Sequence, residues 1–575
     1  MKNSALPAKQ HAIQLIGPGK LQHNPSKDVD RPGPHQILAK VEAVGLCFSD
    51  LKLLKQFSQH PRKSEVLRGI EREVLLEIPS YVPGEKPTVP GHEVVCRIVA
   101  VGDLVGRHRV GERCLVQTDY RDLRTAGSNA AFGYNFEGGL QEYVLMDERV
   151  VLDAASGERF LIPVDEALSA SAIALVEPWA CVEDSYVTQE RKQILPGGRL
   201  LVVVDEGHSA LGLPDSAGLG KPGRMTAICQ DTRDADTLRS LCDTFEQTSD
   251  LYALPDESFD DIVYFGARKA AIEILNDKLA PCGIINIVPG GRRIGQSVSV
   301  GIGRVHYGMT RWIGNPGMRA CDSYLAIPEN GQIRAGEEVA VIGAAGPMGQ
   351  MHTIRALCLE TPGISLTCTD VDDGRLQTLT VKASPLSERR SIPLRVVNTM
   401  KTPLGGGFTY FIVLVPAGAL VADAIAHSKD RCLINIFAGI PAATRHDLDL
   451  DTYIGNRCFM FGTSGSVIQD MKIVLDKVRS GQLDTNISVD AISGMAGAAQ
   501  AIAAVENRSL AGKIIVYPAL HDVGLVPVAD LERQFPTVGR KLDHGRWTQA
   551  AEDELLKVGS GDVPKPPAKH QDTRS

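Results

Sequence analysis

What this chain lacks narrows it first. No apolar run among its 575 residues reaches the roughly 18 needed to cross a bilayer. There is no Lys/Arg block or basic stripe, and the formal net charge is −8 with a pI near 6.0, which excludes a nucleic-acid binder and an anionic-membrane binder. The first twenty residues have no apolar core of the kind a secretory signal needs, so a cytoplasmic location is expected. The 12 cysteines are scattered without framework spacing, which fits a reduced chain with at most one metal thiolate and no disulfide scaffold. What is present is an ordinary globular composition, 43% hydrophobic and 23% charged, in a length that suggests about three or four domains.

The densest chemistry lies in Pro90-Gly91-His92-Glu93. It sets an imidazole beside a carboxylate, between a turn signal and the apolar run Val94–Gly102. Cys47, in Gly45-Leu46-Cys47-Phe48-Ser49-Asp50, and Glu177, in Val176-Glu177-Pro178-Trp179, offer a thiolate and a further carboxylate. Mixed sulfur, nitrogen and oxygen donors suit a tetrahedral Zn²⁺ site. Any one of them alone is weak evidence, since a lone cysteine is usually a small buried hydrophobe.

Residues 1–185 read as mostly β, with short runs at Gln36–Val44, Glu93–Val101, Arg113–Gln117 and Gln141–Met146 separated by Gly and Pro turns. Residues 58–86 are charged and contain proline, and are expected to form an exposed excursion. Ser169–Ala180 has a helical apolar pattern leading to Glu177. From 195 onward strands alternate with helices, which argues for parallel α/β sheets. The plan occurs twice. Leu200–Val204, Asp261–Phe265 and Gly283–Val288 mark one half; Glu338–Ile342, Ile364–Asp370, Tyr410–Val415 and Cys432–Phe437 mark the other. Arg304–Asn315 and Tyr453–Thr463 resemble each other as the closing strand of each half.

Only the second half carries a nucleotide loop. Gly343-Ala344-Ala345-Gly346-Pro347-Met348-Gly349 follows a strand and opens a helix, and Asp370 ends the next strand, with Arg375 shortly beyond. Small residues let the backbone approach a pyrophosphate at the helix N-terminus, and the Asp370 carboxylate suits ribose hydroxyls while repelling a 2′-phosphate. These seven loop positions, Asp370 and Arg375 are therefore the candidate NAD contacts, with NADP disfavoured. In the first half the equivalent turn is Asp205-Glu206-Gly207-His208-Ser209, whose carboxylates oppose phosphate.

In order along the chain stand Gly45-x-Cys47-x-Ser49-Asp50, Val89-Pro90-Gly91-His92-Glu93, Val99-x-Val101-Gly102, Val110-Gly111-Glu112-Arg113-Cys114, Gly138-Gly139-x-x-Glu142-Tyr143-Val144 and Glu177-Pro178. This ordered set resembles the medium-chain dehydrogenase/reductase superfamily, on its zinc-dependent polyol and sugar-alcohol branch. The resemblance implies an α/β chain. A GroES-like catalytic domain would occupy 1–185, completed by 480–518. A degenerate Rossmann-like domain would follow at 186–328, an NAD-binding Rossmann domain at 329–479, and an extension with a polar, disordered tail at 519–575. It implies Cys47, His92 and Glu177 as ligands of one catalytic zinc, with Glu93 as a ligand or a neighbour of one. Ser49 would relay the proton and Asp50 would orient a ligand, although Ser49 and Asp50 also suit a helix cap. Relatives' second, four-cysteine zinc site is not expected, because Leu115–Tyr134 contains no cysteine. The implied activity interconverts a secondary alcohol of a polyol, sugar alcohol or sugar phosphate with its ketone. Arg304, His306 and Arg311 would be phosphate contacts if they faced the cleft, and are otherwise ordinary polar positions flanking a strand. The alternatives are a zinc-free quinone or enoyl reductase and a non-catalytic NAD sensor. No nucleic-acid or membrane partner is expected. The duplicated half leaves two assembly states open, a homo-oligomer or a monomer whose spare half caps its own sheet.

Overall fold

In the computed structural model, residues 6–153, 155–213, 220–463 and 465–559 are described. They form two compact units. One comprises the residues up to Ala180 together with those from Ser466 onward, and the other is Cys181–Gly465.

In the first unit, strand Gln36–Gly45 is the hub. It pairs antiparallel with Glu93–Val101, with Tyr143–Asp147 and with Lys513–Val516, which returns from far along the chain. The buried residues of these strands, among them Ile37, Val41, Val44, Val94, Ile98, Ile514 and Val516, form one core. The register sets Gly45 opposite Glu93 and Ile515 opposite Gly45. Three strand ends therefore converge just before Cys47.

Three sequence expectations need correction here. Residues 58–86 are not an exposed excursion. They fold into short helices and a strand, Val66–Arg68, paired with Asp119–Thr125, and they bury Lys63, Leu75, Ile78 and Tyr81. The Lys63 ammonium is satisfied by the Val82 and Lys86 carbonyls, so its charge did not mark an exposed position. The single helix expected over 169–180 is two, Ala170–Ala174 and Val176–Val187. Pro178 lacks an N–H and its ring crowds the carbonyl of Ala174, which ends the first helix and suits the opening turn of the second. The stretch after 540 is ordered as far as 559. It forms helix Gln549–Gly559 with Trp547 buried before it, and Glu552 accepts from the Ala170 and Ser171 amides (2.5 and 2.8 Å) and the Tyr517 hydroxyl (2.8 Å). A buried carboxylate capping a helix start outweighs the polar composition there. The expected disordered tail otherwise lies outside the described residues. Helix Ile468–Arg479 also packs in this unit, with Arg479 bonded to Asp165 and Lys472 to Glu158.

The second unit is built on one sheet of twelve strands: β1 Arg199–Val204, β2 Arg224–Ile228, β3 Thr244–Gln247, β4 Phe259–Phe265, β5 Leu279–Val288, β6 Arg311–Gly314, β7 Glu338–Ile342, β8 Ser365–Asp370, β9 Leu394–Asn398, β10 Phe408–Val413, β11 Ser428–Ile436 and β12 Phe459–Phe461. Their spatial order is 3-2-1-4-5-6-12-11-10-7-8-9. Each half is thus a parallel, doubly wound 3-2-1-4-5-6 sheet, and the two are joined edge to edge. The joint is antiparallel at Trp312 and Met460. The Tyr453 hydroxyl donates to the Trp312 carbonyl (2.7 Å) and accepts from the Met460 amide (2.9 Å). A second antiparallel pair, Val298–Val300 with His446–Leu448, repeats the contact beside it. One core runs through both halves, from Leu201 and Ile262 to Ile434 and Met460. The similarity between Arg304–Asn315 and Tyr453–Thr463 therefore has a structural meaning: these are the two edges that meet.

Candidate functional site

The site grows out of the convergence at Gly45. A side chain at this position would lie 2.0 Å from Glu93 Oε2, so only glycine lets the Glu93 carboxylate turn in. Just beyond it the chain enters helix Phe48–Gln56 with Cys47 at the N-cap. The cap is neither Ser49 nor Asp50 by position. Asp50 instead reaches back from the first turn, and its Oδ2 accepts the Cys47 amide at 3.0 Å. Its other oxygen accepts from His92 Nδ1 at 2.9 Å. One buried carboxylate thus fixes the Cys47 backbone and the His92 ring together, and it turns Nε2 toward the Ser49 hydroxyl. Burial opposes the charges of this pair, yet the partners hold His92 well above the usual imidazole range and Asp50 below the usual carboxylate range.

Cys47, His92 and Glu93 each bring a donor atom within 4.8 Å of the others, the one such group among the described residues. The Ser49 hydroxyl lies 3.1 Å from Cys47 Sγ and 3.2 Å from His92 Nε2. Glu177 is not part of that tight group. Its carboxyl is nonetheless in the same electrostatic cluster: burial pushes it up to about 7, against the pull of His92 and with the help of Glu93. The donor set fits a borderline divalent cation such as zinc. One atom of it, Glu93 Oε2, is buried without a hydrogen-bond partner.

Two residues at this site were not singled out in the sequence. Lys513, buried at the start of the returning strand, donates to Glu93 Oε1 and to the Leu46 carbonyl (2.6 Å). Burial disfavours its charge, but Glu93 and Cys47 restore it. A lysine opening the apolar run Ile514-Ile515-Val516 was the available signal. Tyr134, on a loop that no pattern marks, is buried with its ring 5.7 Å from the His92 ring.

In the second unit the loop 343–349 joins β7 to helix Pro347–Cys358. Gly343 has φ +82°, which favours glycine. A Cβ on Gly349 would lie 2.3 Å from the Gly343 carbonyl, so the helix start can close onto the loop only without a side chain. Asp370, at the end of β8, accepts from the Ala345 amide (3.2 Å) and the Val371 amide (2.8 Å). Arg375 sits in the first turn of helix Asp373–Arg390, and its amide donates to Asp372 at 2.9 Å. A cradle of small residues at a twelve-residue helix start, with a carboxylate at the neighbouring strand end, fits a dinucleotide. The first half does not. Its Asp205 is taken up by Tyr264 and Arg268, and among the described residues only a short turn, Ala210–Gly212, stands where the helix would begin.

The phosphate role considered for Arg304, His306 and Arg311 is corrected by the structure. Arg311 pairs with Glu190 (2.8 and 3.0 Å), Arg304 donates to the Asn276 (2.8 Å) and Leu279 carbonyls, and His306 Nδ1 lies 3.2 Å from the Ile436 carbonyl. His306, and Arg311 through the Gly462 carbonyl (3.1 Å), reach across the joint between the two halves, while Arg304 braces the first half.

Residues 33–156 match the alcohol dehydrogenase GroES-like domain family. A sorbitol dehydrogenase of Sus scrofa is 33% identical over 108 residues, which are 18% of this chain and 90% of that protein. The chain belongs to the medium-chain dehydrogenase/reductase superfamily. This superfamily member, an alcohol dehydrogenase-type oxidoreductase, has Cys47, His92 and Glu93 inside the matched domain and Glu177 beyond it. It is also 24% identical to the uncharacterized protein YggP of Escherichia coli K12, over 54% of this chain and 75% of that one. It is 27% identical to the NADP-dependent alcohol dehydrogenase C of Mycobacterium bovis, over 26% of this chain and 41% of that one. Among solved structures, the 2R,3R-butanediol dehydrogenase of Bacillus subtilis aligns with a TM-score of 0.49 at 14% identity, covering 89% of this chain and 100% of that one.

Proposed function

We propose that the chain is a zinc- and NAD-dependent dehydrogenase that interconverts a secondary alcohol of a polyol, sugar alcohol or sugar phosphate with its ketone. The observation that carries this is the meeting of Cys47 Sγ, His92 and Glu93 donors within 4.8 Å, with the Ser49 hydroxyl against two of them. Cys47, His92 and Glu177 would hold the zinc, with Glu93 beside them. When bound, zinc supplies a Lewis acid that lowers the pKa of an alcohol, and NAD supplies the hydride acceptor. The protein's own part is positional. Asp50 keeps the His92 proton on Nδ1. Ser49, half-buried and against Cys47 Sγ and His92 Nε2, would take the proton that the alcohol gives up as its own hydroxyl proton passes to solvent. Asp370 receives ribose hydroxyls at the second-half loop. The test is turnover of polyols with NAD by zinc-loaded protein; failure of every polyol, with zinc bound, would overturn the proposal.

The carboxylate at position 370 makes a further expectation. A 2′-phosphate there meets a like charge, which costs several kcal/mol. We expect kcat/KM for NAD to exceed that for NADP by about a hundredfold, and Asp370→Ala to narrow the gap mainly by improving NADP. Equal use of both cofactors by the parent enzyme would contradict this placement.

The joint at Trp312 and Met460 bears on assembly. Each half covers the edge of the other within one chain, so neither edge is left to recruit a second copy. We expect sedimentation equilibrium to return the mass of one chain, 61.9 kDa, at micromolar concentration. A stable dimer or tetramer would count against the self-capped sheet as the reason for the duplication.

A further inference from the structure

The loop 343–349 is not held by its own backbone alone. The Gly343 and Ala344 amides both donate to the Thr369 carbonyl (2.9 and 2.8 Å), which ties the start of the loop to β8. The next residue, Ala345, is gripped at both of its backbone polar groups. Its amide donates to Asp370 Oδ2 at 3.2 Å, and its carbonyl accepts from Gln350 Nε2 at 3.2 Å. Gln350 stands in the first turn of helix Pro347–Cys358, where its own amide donates to the Gly346 carbonyl (2.9 Å), and its side chain is fully buried.

Lys382 decides which way the Gln350 amide points. It lies in helix Asp373–Arg390, is buried, and donates from Nζ to Gln350 Oε1 at 3.0 Å. A primary amide has one accepting end and one donating end, whereas an ammonium only donates. With the ammonium at Oε1, the NH₂ end must face the Ala345 carbonyl. The flipped amide would set oxygen against oxygen at Ala345 and donor against donor at Lys382. Three hydrogen bonds therefore run in one direction, from Lys382 to Gln350, from Gln350 to Ala345 and from Ala345 to Asp370. The first and last are charge-assisted, and aligned bonds of this kind polarise one another. A lysine that served only to pack two helices would need no bond onward to the loop. This series ends on the carboxylate that the ribose would meet.

We propose that Lys382 and Gln350 are positioning residues for the dinucleotide. They hold Ala345 so that Asp370 presents its carboxylate to the ribose hydroxyls, and they thereby strengthen the preference for NAD over NADP. This rests on the NAD site proposed above and deepens it with two residues that act through the loop.

The experiment titrates the full chain with NADH and with NADPH, following nicotinamide fluorescence, and needs no alcohol. Unfolding in urea without cofactor is measured beside it. Gln350→Glu keeps an acceptor for Lys382 but turns a second acceptor toward the Ala345 carbonyl. Its Kd for NADH should rise about tenfold, the scale of one or two hydrogen bonds. The 2′-phosphate of NADPH gains nothing from the Asp370 carboxylate, so its Kd should rise by about threefold or less. The NADPH-to-NADH ratio of Kd values should thus shrink by about threefold or more. Lys382→Met should shrink it in the same sense, because nothing then enforces the amide's direction. If that variant does not fold, Gln350→Glu decides alone. A lower urea midpoint in Gln350→Glu with both Kd values unmoved, or raised by one common factor, would reduce the pair to a packing role and overturn the inference, leaving the NAD site standing. A parent that binds neither NADH nor NADPH would overturn the NAD site and this inference with it.

Discussion

Replacing Cys47 by alanine is expected to strip the protein of its tightly held zinc and to lower NAD-linked alcohol oxidation by about a thousandfold or more, the several kcal/mol that a Lewis acid contributes to such a step. The loss should not come from unfolding. What Cys47 gives the fold is its amide, which donates to Asp50 Oδ2 at 3.0 Å and closes the start of helix Phe48–Gln56; alanine keeps that bond. His92 also keeps Asp50 through Nδ1. The variant should therefore match the circular dichroism of the parent while metal analysis after gentle chelation shows about one zinc in the parent and none in the variant. A parent without zinc would sink the mechanism and favour a zinc-free reductase or an NAD-binding sensor. A variant that retains zinc would take Cys47 out of the ligand set.

How much of this could be read from residues alone depended on whether the signal was local. Glu93–Val101 and Glu338–Ile342 were readable to the residue, because a short apolar run bounded by turn residues is written in the sequence itself. Cys47, His92, Ser49 and Asp50 were readable because each lies in a short ordered motif. The meeting of the two halves was legible only as a likeness between Arg304–Asn315 and Tyr453–Thr463; that the strands pair antiparallel is a long-range fact. Charge misled where burial was satisfied by distant partners. Lys63 is held by two carbonyls, Arg311 by Glu190 some 121 residues away, and Glu552 by amides 381 and 382 residues away. No spacing rule links such groups, so the segments of Lys63 and Glu552 looked exposed or disordered and Arg311 looked free to bind phosphate. Lys513 is the same case at the heart of the site.

That lysine leads to the second large effect. Lys513→Met is expected to destabilise the metal-free protein by about 3–5 kcal/mol, because it leaves the fully buried Glu93 carboxylate without its countercharge. The methionine itself fits: it replaces an aliphatic stem in an apolar strand with one of similar size. The cost therefore belongs to the orphaned charge. Adding Glu93→Gln should return much of it, since the neutral amide needs no cation, and a double-mutant cycle in urea measures the coupling. The same variant bears on the role of Glu93. Oε1 faces Lys513, while Oε2 is buried without a partner and Glu93 lies within the Cys47–His92 donor cluster. If a bound cation answers that carboxylate, saturating zinc should stabilise Lys513→Met by more than it stabilises the parent, closing part of the gap between them. An equal gain in both proteins would mean that Glu93 answers to Lys513 alone, and that the zinc rests on Cys47, His92 and Glu177.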